Sequence, residues 1–160
     1  MPPAAPLRSH SAEQTRALGR ALGALLRPGD ILGLSGPLGA GKTCLVQGLA
    51  AGLGIDPAIS VTSPTFVLVA EYPGRIWLRH ADFYRVESYA RLDDAGFDDL
   101  LDGRAVVVVE WPERFPEALP VERLQLALEP GPGDEDRAIR IQARGERARE
   151  IEGELRARWP

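Results

Sequence analysis

Residues 36–43 read GPLGAGKT, a glycine-rich stretch that gives the strongest indication of the fold class. It matches G-x-x-x-x-G-K-[ST], the phosphate-binding loop, in which backbone N–H groups surround phosphate oxygens. Lys42 is the only lysine in a chain with 18 arginines, and its compact ammonium can approach triphosphate oxygens more closely than arginine's planar fork. Thr43 is placed to coordinate Mg²⁺ through its hydroxyl. The predicted nucleotide-binding residues of the loop are Leu38, Gly39, Ala40, Gly41, Lys42 and Thr43.

The flanking residues give the loop the context that this motif needs. Residues 31–34 (ILGL) predict a short buried strand before it, and residues 42–53 predict a helix after it. An earlier helix is predicted to begin at Ser11, with Gln14 completing a capping box, and to end at Pro28-Gly29. The order strand, loop, helix makes a phosphate site the strongest functional prediction from the sequence.

Beyond the loop, the pattern predicts one α/β domain over residues 1–160. The further predicted elements are a hairpin of strands 65–72 and 75–81, a partly helical segment 91–101, a buried strand 105–109, a second hairpin of strands 124–128 and 139–142, and a closing charged helix. The proline-rich residues 1–9 are predicted to be flexible.

Composition excludes several classes of protein. The single cysteine, Cys44, excludes an internal disulfide and favours a reducing cytoplasm, and the longest apolar runs are too short to span a bilayer. A net charge of −4 argues against strong free-standing binding of nucleic acid. Acids cluster in residues 87–102 and arginines in residues 137–160. These two segments either form two solvated faces, or one of them docks a partner.

Two acids at strand ends are the candidates to face the phosphate loop. Glu110 follows the valine run 106–109, and a charge that ends a buried strand emerges at the sheet edge where α/β proteins bind ligands. Asp82 ends another strand-like run and is expected either to bind Mg²⁺ through water or to orient the attacking water. His80 precedes it by two residues, and a hydrogen-bonded structural role is favoured for this histidine.

The segment 62–66 (TSPTF) lies between the loop helix and the first hairpin. In nucleotide switches a segment here can order with the γ-phosphate, so Ser63 and Thr65 are predicted to belong to a switch-like loop. The alternative is an ordinary polar turn before a strand.

Taken together, these motifs resemble those of the TsaE (YjeE) family, the ATPase of bacterial tRNA threonylcarbamoyladenosine synthesis. The matching stretches are residues 11–15 (SAEQT), 36–43 (GPLGAGKT), 63–66 (SPTF), 80–85 (HADFYR), 110–112 (EWP) and 145–147 (GER). They extend over about 135 residues. The loop alone is shared by many families, but its combination with the other stretches is specific.

The resemblance implies a protein that binds ATP with Mg²⁺ and hydrolyses it slowly. It implies a P-loop NTPase-like fold, with a central parallel sheet flanked by antiparallel strands and helices on both faces. It also implies protein partners, TsaB and TsaD, and through them the modification of adenosine 37 in tRNAs that read ANN codons.

The resemblance also assigns roles to individual residues. It implies catalytic roles for Lys42, Asp82 and Glu110, with Thr43, Glu110 and Asp82 as metal positions. The further nucleotide contacts that it implies are Trp111, Ala12, Glu113 and Gly145. One departure from the family pattern is Pro37, where an acid is usual; binding is expected to survive because that position need not donate an N–H to phosphate.

Two rival enzyme classes give different expectations. A GTPase is disfavoured because the chain has no asparagine and therefore no N-K-x-D motif for guanine. A small-molecule kinase of the P-loop class is an alternative that would require a soluble acceptor. A nucleotide-dependent binding module whose hydrolysis is incidental is a third class, and it overlaps with the role that the resemblance implies.

Overall fold

The computed structural model describes residues 3–64 and 68–159, which form one seven-stranded sheet with helices on both faces. The strands are β1 (Leu7–Ser9), β2 (Ile31–Ser35), β3 (Val69–Tyr72), β4 (Leu78–Asp82), β5 (Val106–Glu110), β6 (Arg123–Pro130) and β7 (Arg137–Arg144). Their order across the sheet is β1-β7-β6-β2-β5-β4-β3. Strands β6, β2, β5 and β4 run parallel, while β7 and β3 run antiparallel to their neighbours β6 and β4. The predicted fold class is therefore confirmed.

Over the described ranges, four α-helices and three short 3₁₀ turns complete the fold. The helices are α1 (Ala12–Leu25), α2 (Lys42–Gly52), α3 (Tyr89–Asp94) and α4 (Glu146–Arg158), and the 3₁₀ turns are Phe97–Leu100, Pro112–Arg114 and Pro116–Ala118. Among the residues that the structure describes, no helix is long and apolar enough to cross a membrane.

The sheet is covered differently on its two faces. Leucines of α1, α2 and α4 pack on one face against the even-numbered residues of β2, β5 and β6. On the other face, Phe83, Leu92 and Phe97 pack against Val107 and Val109 of β5. The valine run is buried on both sides because it lies between these two layers.

Glycines allow α1 and α2 to approach each other closely. A Cβ atom at Gly48 of α2 would overlap the backbone carbonyl of Arg16 in α1, and one at Gly19 would overlap the carbonyl of Leu45. Only hydrogen at these Cα atoms permits the contact. Because α2 begins at the end of the phosphate loop, this contact fixes the loop relative to the start of α1.

Most predicted element boundaries agree with the structure to within a few residues. Ser11 caps α1 by accepting a hydrogen bond from the Gln14 N–H at 3.0 Å, as predicted. Gln14 Oε1 accepts from the N–H of His10 at 2.8 Å, one residue before the N-cap. The first predicted hairpin is present as β3 and β4, although residues 65–67 of its first strand lie outside the described residues.

The prediction that residues 1–9 are flexible is wrong for residues 7–9. They form β1, which pairs antiparallel with β7. Leu7 and Ser9 are buried, and the Ser9 hydroxyl hydrogen-bonds the Thr15 hydroxyl at 2.6 Å. The edge of β7 supplies the hydrogen-bond partners, so tertiary pairing orders a segment whose composition favours disorder.

Candidate functional site

The phosphate loop joins β2 to α2 and leaves the first turn of α2 open. Gly41 is the N-cap of α2 with φ 97°, in the left-handed region that favours glycine, and no side chain caps the helix there. The free N–H groups and the positive end of the helix dipole therefore face the loop. This arrangement is suited to binding an anion such as phosphate.

Lys42 is held in place from two sides. Its Nζ donates a hydrogen bond to the carbonyl of Gly36 at 2.6 Å and lies 4.1 Å from the centroid of the Trp111 ring. The side chain is only 6% exposed. A cation over an aromatic face is stabilised by the ring quadrupole, so Trp111 orients the ammonium towards the loop.

Trp111 reaches this position through an uncommon backbone conformation. It has φ 58° and is the one non-glycine residue with positive φ among the described residues. Its N–H donates to the carbonyl of Leu34 at 3.1 Å, which ties the turn to the end of β2. The Trp111 ring also lies 4.8 Å, centroid to centroid, from Tyr84. Such strained residues concentrate at functional sites, and here the turn places an aromatic ring directly after Glu110.

A chain of hydrogen bonds connects the loop helix to Glu110. Ser63 Oγ donates to Glu110 Oε2 at 2.8 Å, so the hydroxyl of Thr43, 3.3 Å from Ser63 Oγ, is the donor in that contact. His80 Nε2 lies 2.7 Å from the same Oε2 atom. Within the described residues His80 Nδ1 has no partner, which favours the tautomer that carries its proton on Nε2 and donates to Glu110. The predicted structural role of His80 thus extends to a contact with a site carboxylate.

Asp82 and Glu110 are neighbours across the β4–β5 pairing, and their carboxyl groups titrate differently. Burial raises the pKa of Asp82 and the charge of Glu110 raises it further, against the lowering effect of the Tyr84 N–H that Asp82 accepts at 2.9 Å. Burial also acts to raise the pKa of Glu110, but the hydrogen bonds from His80 and Ser63, with the charge of Lys42, lower it overall. Two like charges directly opposite each other destabilise the pair unless a cation lies between them.

The donor set fits Mg²⁺ that is bound partly by a nucleotide better than it fits a metal ion held by protein ligands alone. Asp82, Glu110 and Thr43 offer carboxylate and hydroxyl oxygens, which are the ligands that Mg²⁺ prefers. Among the described residues no cluster of three or more His, Cys, Asp and Glu side chains could hold a metal ion. This agrees with Mg²⁺ sites in which substrate phosphates and waters complete the coordination.

These groups surround one cavity of about 900 Å³. Of the predicted site residues, those lining it are Leu38, Gly39, Gly41, Lys42, Thr43, Ser63, Asp82, Glu110 and Trp111. Ala40 is buried behind the loop at 1% exposure. Arg85, Arg91 and apolar residues of the α3 region line the side of the cavity beyond Asp82.

Besides Ala40, three described site candidates, Ala12, Glu113 and Gly145, are not among the residues that line this cavity. Ala12 begins α1, whose Thr15 lies beside Gly41, so α1 starts near the loop. Glu113 lies in the turn after Trp111 and lines a separate cavity of about 440 Å³. Thr65 lies outside the described residues, so the switch-like loop is described only at Ser63 and Pro64.

Gly145 lies at the end of β7 that is remote from the phosphate loop. Strand β7 starts beside Pro130, at the carboxyl ends of the parallel strands, and runs to Arg144, which pairs with Arg123 at their amino ends. Gly145 follows there, next to the side chain of Glu122. With ~3.4 Å per strand residue, the length of β7 puts it roughly 24 Å from the start of that strand.

Sequence reasoning missed Arg137, which contacts the phosphate loop from β7. Its Nε donates to the carbonyl of Ala40 at 2.9 Å and its Nη2 to the carbonyl of Gly39 at 3.1 Å. Its Nη1 donates to the carbonyls of Asp134 and Asp136 at 2.9 and 2.8 Å. One guanidinium thus joins the loop to the β6–β7 turn. Nothing in the local sequence marks it, because the contact depends on residues almost a hundred positions apart.

Comparisons with known proteins agree on one family. Residues 9–139 match the family model described as threonylcarbamoyl adenosine biosynthesis protein TsaE. A relative from Bacillus subtilis, named tRNA threonylcarbamoyladenosine biosynthesis protein TsaE, is 41% identical over 141 residues, covering 88% of this chain and 86% of the relative. A protein of the same name from Treponema pallidum is 45% identical over 120 residues, covering 75% of this chain and 87% of its own. The crystal structure of Bacillus subtilis YdiB superposes with a TM-score of 0.78 at 36% identity, covering 94% of this chain and 93% of that one.

Proposed function

The chain belongs to the TsaE family of tRNA threonylcarbamoyladenosine biosynthesis proteins, and on that premise we propose that it is a Mg²⁺-dependent ATPase. In this proposal it binds ATP at the phosphate loop and hydrolyses it slowly. Hydrolysis supports a complex of TsaB and TsaD that modifies adenosine 37 of tRNAs reading ANN codons.

One observation carries the proposal. The open first turn of α2, with Lys42 and Thr43, faces the paired strand ends of Asp82 and Glu110 across a single cavity. A site with phosphate donors on one side and carboxylates on the other suits a triphosphate bound with a divalent cation.

Each side chain has a role that follows from its position. Lys42 is placed to neutralise charge on the β and γ phosphates, and Trp111 and the Gly36 carbonyl keep its ammonium aimed at the loop. Thr43 and Glu110 would hold Mg²⁺, which supplies charge stabilisation at the transferring phosphate. Asp82, whose raised pKa reflects a partly buried carboxyl beside Glu110, would bind the metal through water or orient the attacking water.

Ser63 connects this chemistry to the segment that follows α2. Its hydroxyl joins Thr43 to Glu110, the two groups proposed to hold Mg²⁺. Cation binding would compete for both contacts and release Ser63. The proposed switch is therefore a change in the partners of Ser63 when the nucleotide binds.

Reconstituted threonylcarbamoyl transfer tests the proposal. Purified TsaB and TsaD with tRNA, ATP and Mg²⁺ should modify adenosine 37 over repeated turnovers only when this protein is added. The Lys42→Ala variant should fail to support turnover, because the loop loses its only lysine. Full support by that variant would show that the phosphate loop is not the working site.

A P-loop small-molecule kinase is the second candidate. It is favoured by the extent of the cavity beyond Asp82, where Arg85 and Arg91 could bind an acceptor. ATP turnover distinguishes the two functions. A kinase requires a soluble acceptor, whereas the proposed ATPase is accelerated by its protein complex.

A further inference from the structure

The outer side of the β6–β7 hairpin presents a polar, basic surface. We define this hairpin face by the residues of β6 and β7 that alternate with the core positions: Arg123, Gln125, Glu129, Arg140, Gln142 and Arg144. Helix α4 packs on the opposite side of the hairpin. The face carries three arginines and one glutamate in a chain whose net charge is −4.

The two arginines at one end of this face lack a counter-charge. Glu129 pairs with Arg140 at 3.4 Å. In the described part of the chain, residues 3–64 and 68–159, no carboxylate oxygen lies within 4.0 Å of the guanidinium of Arg123 or Arg144. These two residues lie directly opposite each other in the β6–β7 register. Like charges opposite each other destabilise a sheet, so their pairing calls for an anion.

Arg123 is buried, which makes the missing counter-charge more costly. It is 8% exposed, and it donates to neutral acceptors, the carbonyl of Pro120 at 2.8 Å and Oε1 of Gln125 at 3.2 Å. Burial and the charge of Arg144 lower its pKa. Arg144 donates in turn to Oε1 of Gln142 at 3.2 Å. A buried charge is normally paired, because desolvation without a partner destabilises the fold.

Arg123 and Arg144 both line the cavity of about 440 Å³. Its other walls include Ser35, Pro112 and Glu113. The exposed Glu113 would repel a polyanionic nucleic-acid backbone, whereas a single carboxylate can approach the arginines. The exposed Val121 follows Pro120, the residue that Arg123 contacts, and offers an apolar contact beside the charged groups. This mixture is typical of a protein interface.

We propose that the cavity between Arg123 and Arg144 receives the carboxylate of an acidic segment of a partner protein. The planar guanidinium groups would hold the carboxylate by charge-assisted hydrogen bonds, with Val121 packing on an apolar neighbour in the same segment. The site adjoins both sides of the nucleotide centre: Ser35 directly precedes the phosphate loop, and Glu113 follows Trp111 by two residues. The choice of partner protein rests on the proposed function, whereas the binding of a carboxylate by the two arginines does not.

A peptide titration observed by NMR tests the chemistry without the partner. The probe is the peptide acetyl-Val-Glu-Leu-Glu-amide, and its control is the same peptide with glutamine in place of glutamate. The glutamate peptide should shift the side-chain Nε–Hε resonances of Arg123 and Arg144 saturably, while that of Arg140 moves little. Equal shifts with both peptides, or no shift with either, would overturn the inference. Larger saturable shifts of the same resonances with tRNA would identify a nucleic acid as the occupant and would also overturn it.

Binding to purified TsaB–TsaD complex then tests the surface. Arg144→Glu should weaken binding about tenfold or more, because it places a carboxylate where an acidic segment docks. The matched control is Arg140→Glu, a charge reversal on the same strand and face, which should change affinity less than threefold. Equal affinities for the two variants would exclude this cavity from the interface. If the wild-type chain fails to bind the complex, the proposed function loses its partner, while the peptide titration still decides the cavity's chemistry.

Discussion

Arg137 gives the sharpest test of how the phosphate loop is held. Its guanidinium donates to the carbonyls of Gly39 and Ala40 in the loop and to two carbonyls of the β6–β7 turn. Replacing Arg137 with alanine removes all four hydrogen bonds without touching Lys42 or Thr43. The loop should then lose order, and ATP should bind more weakly.

The expected loss can be worked from the contacts. A hydrogen bond to a charged group contributes about 1.5–3 kcal/mol. The Gly39 carbonyl lies on an exposed residue and regains water, whereas Ala40 is 1% exposed and its carbonyl is harder to solvate. If the hydrogen bond to Ala40 accounts for most of the effect, the variant destabilises the ordered conformation of the loop by roughly 2 kcal/mol. If ATP binds the ordered loop alone, this corresponds to an affinity about 30-fold weaker.

Titration of ATP with Mg²⁺ by calorimetry measures this change. The matched control is Arg140→Ala, three residues further along β7, because Arg140 is exposed and its one ion pair within the described residues is with Glu129. A surface ion pair of this kind contributes about 0–1 kcal/mol to stability, and its loss should leave ATP affinity within about twofold. If Arg137→Ala and Arg140→Ala bind ATP equally, Arg137 does not order the loop and the reasoning fails.

Three further predictions concern the site carboxylates, the loop helix and the aromatic ring under the lysine. Asp82→Asn should be more stable to unfolding than wild type at pH 7 without nucleotide. Burial and the charge of Glu110 raise the folded-state pKa of Asp82, so the wild-type protein loses stability as pH rises through that pKa. In thermal melts the difference in stability between the two proteins should vanish below about pH 4, where Asp82 is protonated in both states. A less stable variant at pH 7 would contradict this sign. Gly48→Ala should lower the free energy of unfolding by at least about 2 kcal/mol, because its Cβ would overlap the backbone carbonyl of Arg16 in α1. The control Gly153→Ala, whose Cβ would have open space around it, should be neutral or stabilising. Similar melting temperatures for the two variants would refute the close contact between α1 and α2. With the other two tryptophans changed to phenylalanine, Trp111 fluorescence should respond to ADP, and a constant signal would place the nucleotide away from this ring.

Local patterns were enough to predict that the central candidate residues lie together. The motif of residues 36–43 encodes its own geometry through its glycines, and the valine run before Glu110 is buried in any sheet that covers both its faces. The proximity of Asp82 and Glu110 could be predicted from the sequence because parallel strands end at the same edge of a sheet. Their direct pairing in the β4–β5 register agrees with that reasoning.

What could not be predicted depends on pairing between distant segments. The contact of Arg137 with the loop requires the order β7-β6-β2, which no local pattern specifies. The antiparallel direction of β7 places Gly145 at the amino ends of the parallel strands, although its neighbouring residues match a family motif. Strand β1 has three residues in a proline-rich segment, and its structure comes from the hydrogen bonds that β7 offers.

The central claim is that the phosphate loop and the strand-end carboxylates form one Mg²⁺–ATP site. Calorimetric titration of ATP, with and without Mg²⁺, against the wild-type chain and Lys42→Ala tests it most directly. The wild-type chain should bind ATP with an affinity that Mg²⁺ increases, and the variant should lose binding by a factor of about 30 or more, as expected when a charged contact worth about 2–3 kcal/mol is removed. Equal binding by both proteins, or binding that is indifferent to Mg²⁺, would contradict the account.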